Sequence, residues 1–190
     1  MTLQKILPFA HNLLAKALKN GGIAVDATMG NGNDTLRLAE LVGRRGHVYA
    51  FDIQAQALTQ TKERLQTAGL LERTSLYLQG HETVSSVIPP AHHGHVQAAI
   101  FNLGYLPGSD KSIVTTPHTT LAAIEQLLHL LSPTGIIILV IYHGHDGGKV
   151  ERDMLLPFVA QLPQRDFHVL QYQFLNQQNN APFIIAIERK

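Results

Sequence analysis

Short apolar segments alternate with segments of helical period along most of this chain, and that alternation is what most narrows the folds open to it. Residues 23–27, 47–52, 74–79, 96–102 and 135–142 are rich in β-branched, aliphatic and aromatic side chains and read as strands. Between them, Leu58, Thr61, Leu65 and Ala68 recur at three- and four-residue spacing, with Gly69 as the stop. Residues 34–42 form a helix after a glycine-rich turn, and Thr116-Pro117 opens another, whose apolar face carries Leu121, Ile124, Leu127, Leu128 and Leu131. A further helix over 149–162 is expected to face Val150, Met154, Leu155, Phe158 and Val159 inward. Residues 1–20 read as an amphipathic helix with Leu13, Leu14, Ala17 and Leu18 on one side, ended by Gly21-Gly22. The tail reads as two strands, 167–174 and 183–188, around the polar turn NQQNNA. Five strand–helix alternations imply a parallel sheet with right-handed crossovers, closed by a hairpin. The 135–142 run is apolar on both faces, as a central strand must be. The expected fold is a Rossmann-like, doubly wound α/β sheet in a single domain spanning residues 1–190.

Composition removes several classes of chemistry. The 190 residues contain no cysteine, which excludes disulfide scaffolds, thiolate metal sites and cysteine nucleophiles. A formal net charge of +1 neither demands nor forbids nucleic acid, because binding follows local patches. Pro8, His11, Asn12 and Lys16 interrupt the N-terminal segment, so it lacks the apolar stretch of a signal peptide. The run after Gly135 is far short of the ~20 residues that span a bilayer. A soluble, cytoplasmic protein with no membrane partner is expected; a homodimer stays open.

In sheets of this class, ligands bind outside the carboxyl ends of the strands where strand order reverses. That rule selects four segments. The first is Asp26-Ala-Thr-Met-Gly30-Asn31-Gly32-Asn33-Asp34, a turn whose glycines permit a sharp reversal and close ligand approach. The second is Asp52-Ile53-Gln54, where an acid ending a strand suits the paired hydroxyls of a ribose. The third, Gly80-His81-Glu82, is placed to flank a base. Together they point to a nucleoside cofactor. The nicotinamide pattern fails at Thr35, and no G-x-x-x-x-G-K-[ST] phosphate loop exists. Asp26, Asp34 and Asp52 would repel a pyrophosphate but tolerate a cationic sulfonium. A glycine turn that binds nothing is the plainer alternative.

The fourth segment, Asn102-Leu103-Gly104-Tyr105-Leu106-Pro107, narrows the reaction. Amino-methyltransferases commonly carry here an Asn or Asp, two prolines and an aromatic residue, which orient the target nitrogen and pack on a planar substrate. Asn102 and Tyr105 hold the outer places, while Leu103-Gly104 replaces the prolines. Among the eleven histidines, His92, His93 and His95 fall in a loop at the opposite edge and are expected to be solvated. His143-Gly-His145 matches no zinc spacing, so no metal is expected. Tyr142 and His145 become candidates, beside Asn102, for handling the substrate amine and its proton. His118 and His143 are placed as substrate contacts, and Lys111, Lys149 and Arg152 as phosphate contacts on the same rim. Arg44 and Arg45 lie at the far edge.

DATMGNGNDT, the FNLGYLPGSDKSI-TTP stretch and Tyr142-His-Gly-His-Asp-Gly-Gly together resemble the small class I S-adenosylmethionine-dependent methyltransferases labelled rRNA methylases. The resemblance covers essentially the whole chain. It implies a seven-stranded sheet with its last strand reversed, and S-adenosylmethionine held at Gly30, Asn31, Asn33, Asp52, Gln54 and His81, with Asn102 near the transferred methyl. It also implies a tRNA substrate, bound at its anticodon loop, whose 5-aminomethyl-(2-thio)uridine at the wobble position gains a methyl on nitrogen. An rRNA or small-molecule amine methyltransferase would share every cofactor residue. A non-catalytic nucleoside-binding domain would share the fold.

Overall fold

A computed structural model describes residues 2–104, 108 and 114–190 of the chain. Seven strands form one sheet in the order β3-β2-β1-β4-β5-β7-β6. They are β1 (Ile23–Asp26), β2 (His47–Asp52), β3 (Thr74–Leu78), β4 (Val96–Leu103), β5 (Leu131–Ile141), β6 (Phe167–Tyr172) and β7 (Phe183–Arg189). Pairings from β3 to β5 are parallel, and β7 runs antiparallel between β5 and β6. The expected reversed last strand is present. The final hairpin is formed with its second strand, not its first, against the central strand.

The helices are α1 (Ile6–Ala17), α2 (Asn33–Val42), α3 (Ala55–Thr67), α4 (Val84–Val87), α5 (Pro117–Leu130) and α6 (Asp146–Ala160). Alternation along β5 shows how they cover the sheet. Ile136, Ile138 and Val140 pack with Ala10 and Leu14 of α1, Leu38 and Val42 of α2 and Leu65 of α3. Ile137, Leu139 and Ile141 pack with Ile124 and Leu127 of α5 and Leu155 and Val159 of α6. Both faces of the strand are therefore dry, which is why it reads as an unbroken apolar run.

Three helical registers differ from the sequence expectation. On α1 the buried stripe is Ile6, Ala10 and Leu14, while Leu13 and Ala17 are only partly buried. On α5, Thr120, Ala123 and Leu130 join Ile124 and Leu127 inside, and Leu121 and Leu128 sit at the margin. On α6, Val150 is 54% exposed and Glu151 is buried in its place. The cause is polar: Thr115 and Thr120 each donate a 2.6 Å hydrogen bond to the Glu151 carboxylate. Helix α6 also begins at Asp146, a turn before the expected Lys149, and ends at Ala160. Among the described residues no helix is long and apolar enough to cross a membrane.

Candidate active site

Strand order reverses between β1 and β4, and two cavities meet just beyond their carboxyl ends. The smaller, about 280 Å³, is lined by Gly30, Asp52, Gln54, His81 and Glu82 on one side and by Val114, Thr115 and Thr119 on the other. The larger, about 730 Å³, is lined by Asn31, Asn33, Asp34, Tyr142, His145 and, from α1, Leu7 and His11. Thr28, Gly30, Asn102 and Gly104 line both. Asn102 thus stands at the junction.

The glycine turn is held from behind. Gly30 and Gly32 have φ of 49° and 77°, the left-handed region that disfavours a side chain. A Cβ on Gly32 would fall 2.8 Å from Thr61 Oγ1 and 2.9 Å from Thr61 Cα. Gly32 lines neither cavity, so its missing side chain lets the turn close on α3 and not on a ligand. Asp26 also lies behind the wall, fully buried; its carboxylate accepts from Thr35 Oγ1 at 2.6 Å and from the Thr28 amide at 3.2 Å. Burial and the neighbouring Asp34 charge push its carboxyl up from 3.8 to about 7. Asp52 does line the cavity, and its two oxygens accept from the backbone N–H groups of Gly30 (3.0 Å) and Gln54 (2.9 Å). The strand-end acid therefore fastens the glycine turn to the end of β2, with lone pairs left over for a ligand.

A second carboxylate organises the junction. Asp34 Oδ2 accepts from Asn102 Nδ2 at 2.6 Å, and Asp34 Oδ1 lies 2.6 Å from His11 Nε2. Because a carboxylate only accepts, the Asn102 amide must turn its nitrogen to Asp34, which leaves Oδ1 as the acceptor offered to the cavities. The Asn102 backbone N–H is itself anchored on Thr28 Oγ1 at 2.8 Å. His11 came with no motif and was missed by sequence reading; only the docking of α1 brings it here.

The remaining candidates separate. His81 is buried, with Nδ1 donating to the Ala27 carbonyl at 2.9 Å and Nε2 buried with no hydrogen-bond partner among the described residues. Burial lowers its pKa, so the ring is neutral and Nε2 is an acceptor. Tyr142 lines the larger cavity, and burial together with Asp34 raises its phenol, which holds the hydroxyl in its donor form. His145 also lines it, but as the N-cap of α6, its Nδ1 accepting from the Gly148 amide at 3.1 Å. That lone pair is occupied. His143 is buried against Phe183, at 5.3 Å between ring centroids, and lines neither cavity. His118 is exposed on the first turn of α5. Lys149 and Arg152 pair with Asp146 and Asp153 on α6, outside both cavities. Tyr105 and Lys111 lie outside the described residues. Of the histidines expected to be solvated, His92 meets Tyr49 Oη at 2.7 Å and His93 the Ile88 carbonyl at 2.9 Å. Among the described residues no group of three His, Asp or Glu side chains is placed to hold a metal ion.

Charge decides what kind of ligand fits. Asp34, Asp52 and Glu82 line the cavities, and no Lys or Arg does among the described residues. A nucleoside bearing a cation is accommodated; a pyrophosphate is not.

Comparison with known proteins agrees with this chemistry. Residues 48–188 match the family model described as "Putative rRNA methylase", and residues 5–84 match that of the ubiE/COQ5 methyltransferase family. The chain is 37% identical, over 98% of its own length and 70% of the relative's, to an Arabidopsis thaliana protein described as "tRNA (mnm(5)s(2)U34)-methyltransferase, chloroplastic". A crystal structure from Clostridium thermocellum described as an rRNA-methylase superposes with a TM-score of 0.96 at 40% identity, covering all of both chains. A Streptococcus mutans methyltransferase crystallised in complex with SAH superposes with a TM-score of 0.90, also at 40% identity over all of both chains. The chain belongs to the family described as "Putative rRNA methylase", and it is a methyltransferase of the class I fold.

Proposed function

We propose that this chain transfers a methyl group from S-adenosylmethionine to the primary amine of 5-aminomethyl-(2-thio)uridine at the wobble position of tRNA, giving the 5-methylaminomethyl form. The observation that carries the reading is the Asp34–Asn102 contact, which turns the amide nitrogen to Asp34 and leaves Asn102 Oδ1 as an acceptor at the junction of the cavities. An amine N–H is the group such an acceptor orients. The whole-chain similarity to the Arabidopsis protein named for that nucleoside supports the choice of amine.

The residues present fit the cofactor. Asp52 and Gln54 at the end of β2 suit a ribose, and the buried acceptor Nε2 of His81 suits an exocyclic amino group. Asn31, whose Oδ1 is buried with no hydrogen-bond partner among the described residues, and Asn33 lie along the glycine turn for the amino-acid end. The bound cofactor supplies an electrophilic methyl on a sulfonium whose departure needs no acid. What the chain must add is alignment, exclusion of water and an unprotonated amine. Asn102 Oδ1 orients the nitrogen. Tyr142 and Leu7 narrow the larger cavity around the substrate. A wobble base is single-stranded, so presenting it costs less than flipping one out of a duplex.

Incubating the protein with S-adenosylmethionine and tRNA carrying the 5-aminomethyl nucleoside tests the reading. Nucleoside mass spectrometry is expected to show the methylaminomethyl product. Methylation confined to rRNA or to free amines would replace the substrate, and cofactor binding without transfer to any acceptor would make the chain a nucleoside-binding domain.

A further inference from the structure

Neither Tyr142, held as a donor, nor His145, whose Nδ1 caps α6, is set to take a proton from the substrate amine. We propose that His11 does so, as the proton acceptor of a His11–Asp34 pair that α1 delivers to the larger cavity; this rests on the amine reading above. The geometry assigns its tautomer. Nε2 lies 2.6 Å from Asp34 Oδ1, and since the carboxylate cannot donate, Nε2 carries the hydrogen. Nδ1 then holds a lone pair, and among the described residues no other group bonds the ring. The side chain is 28% exposed and lines the same cavity as Asn102, Tyr142 and His145. One carboxylate thus serves two neighbours: it fixes the Asn102 amide that aims the amine, and it fixes the imidazole that relieves the amine of its proton.

The step is a proton transfer alone. An N–H bond of the substrate ammonium breaks, its electron pair stays on nitrogen as the nucleophilic lone pair, and the proton arrives at His11 Nδ1. The resulting imidazolium faces Asp34 on its other side, the arrangement by which a buried carboxylate stabilises a catalytic histidine. The other titratable groups in the cavity are Tyr142 and His145, with Asp26 behind the turn. An alkylamine is protonated at neutral pH, its pKa resembling that of a lysine at about 10.4. An enzyme without an acceptor uses only the small neutral fraction.

The test is single-turnover methyl transfer to 5-aminomethyl tRNA at several pH values by the parent, His11→Ala and His11→Gln. Glutamine can still donate to Asp34 but cannot take up a proton. Both variants are expected to lose about 10²–10⁴-fold in rate at pH 7, the usual range for general-base loss. The deficit should shrink by about tenfold per pH unit toward alkaline pH, where the amine deprotonates unaided. Affinity for S-adenosylhomocysteine, by calorimetry, is expected to stay within about threefold of the parent. A His11→Gln protein as fast as the parent would reduce His11 to a prop for Asp34 and overturn the proposal. A deficit that is equal at every pH would do the same. Parent activity with unaffected variants defeats this proposal alone, whereas a parent inactive on this tRNA defeats the amine reading and this proposal with it.

Discussion

At the scale of single residues, the site is built from carboxylates that do different work because their surroundings differ. Asp52 fastens the glycine turn to the end of β2, Asp34 sets the junction, and Asp26 sits behind both with its carboxyl pushed up to about 7. Asn102 depends on Asp34 for its orientation, so Asn102→Ala is expected to lower kcat at least about 100-fold while cofactor affinity stays within a few-fold, the signature of a contact made to the reacting nitrogen. Near-normal turnover would reduce the segment to a polar turn. Asp26 makes a different forecast. Its carboxyl is raised from 3.8 to about 7, so between those values the folded chain holds a proton that the unfolded chain has released. Stability must therefore fall as pH rises through that window. Asp26→Asn keeps an acceptor for the Thr28 amide and carries no charge, so its melting temperature should fall less between pH 4 and 7. Parallel profiles for parent and variant would show that Asp26 ionises as freely as in the unfolded chain. Residue types announced much of this: Asn102, the glycine turn and Asp52 are where motif spacing put them. His11 is not legible, because its role comes from a contact with Asp34 across 23 positions and not from a local pattern.

At the scale of elements, α1 is the piece that sequence most undersells. Read alone it is an amphipathic helix whose partner is unspecified. In the fold it packs Ala10 and Leu14, both fully buried, on the sheet face shared with α2 and α3. Phe9 stacks on Tyr172 with centroids 4.0 Å apart, and Tyr172 Oη donates to the Gln4 carbonyl at 2.8 Å. That seating fixes Leu7 and His11 at the larger cavity. Leu14→Ala is expected to cost about 2–5 kcal/mol in equilibrium denaturation, as a fully buried leucine cavity does. A loss under about 1 kcal/mol would mean that α1 is only loosely docked, and its residues poorly placed for chemistry. Strand positions were legible because periodicity and burial coincide there, and β2 matches its sequence range of 47–52 residue for residue. Helix registers were less so. On α6 a valine and a glutamate exchange their expected places, since two threonine hydroxyls make burial of Glu151 tolerable in a way that no periodicity records.

At the scale of the whole molecule, charge has to be divided between two tasks. The cavities are lined by carboxylates and, among the described residues, by no Lys or Arg, so an RNA cannot rest its phosphates inside them. A net charge of +1 gives the molecule as a whole little attraction for RNA. On the proposed tRNA reading, phosphate contacts are expected from a few cations at the rim. Helix α6 is capped by His145, which lines the larger cavity, and carries Lys149 and Arg152 in its first two turns. Their present partners, Asp146 and Asp153, are exposed, and exposed ion pairs are worth only about 0–1 kcal/mol, so a phosphate can replace them at little cost. Arg44 and Arg45 follow α2 and precede β2, at the amino edge of the sheet and away from the cavities. Each phosphate contact removed should lower the slope of log affinity against log salt by about 0.7–0.9. Lys149→Ala and Arg152→Ala are therefore expected to weaken tRNA binding and to shallow that slope, while Arg44→Ala changes neither. Titrations at three or more salt concentrations decide the matter: if all variants keep the parent slope, α6 is not part of the RNA surface and the phosphates are held elsewhere on the rim.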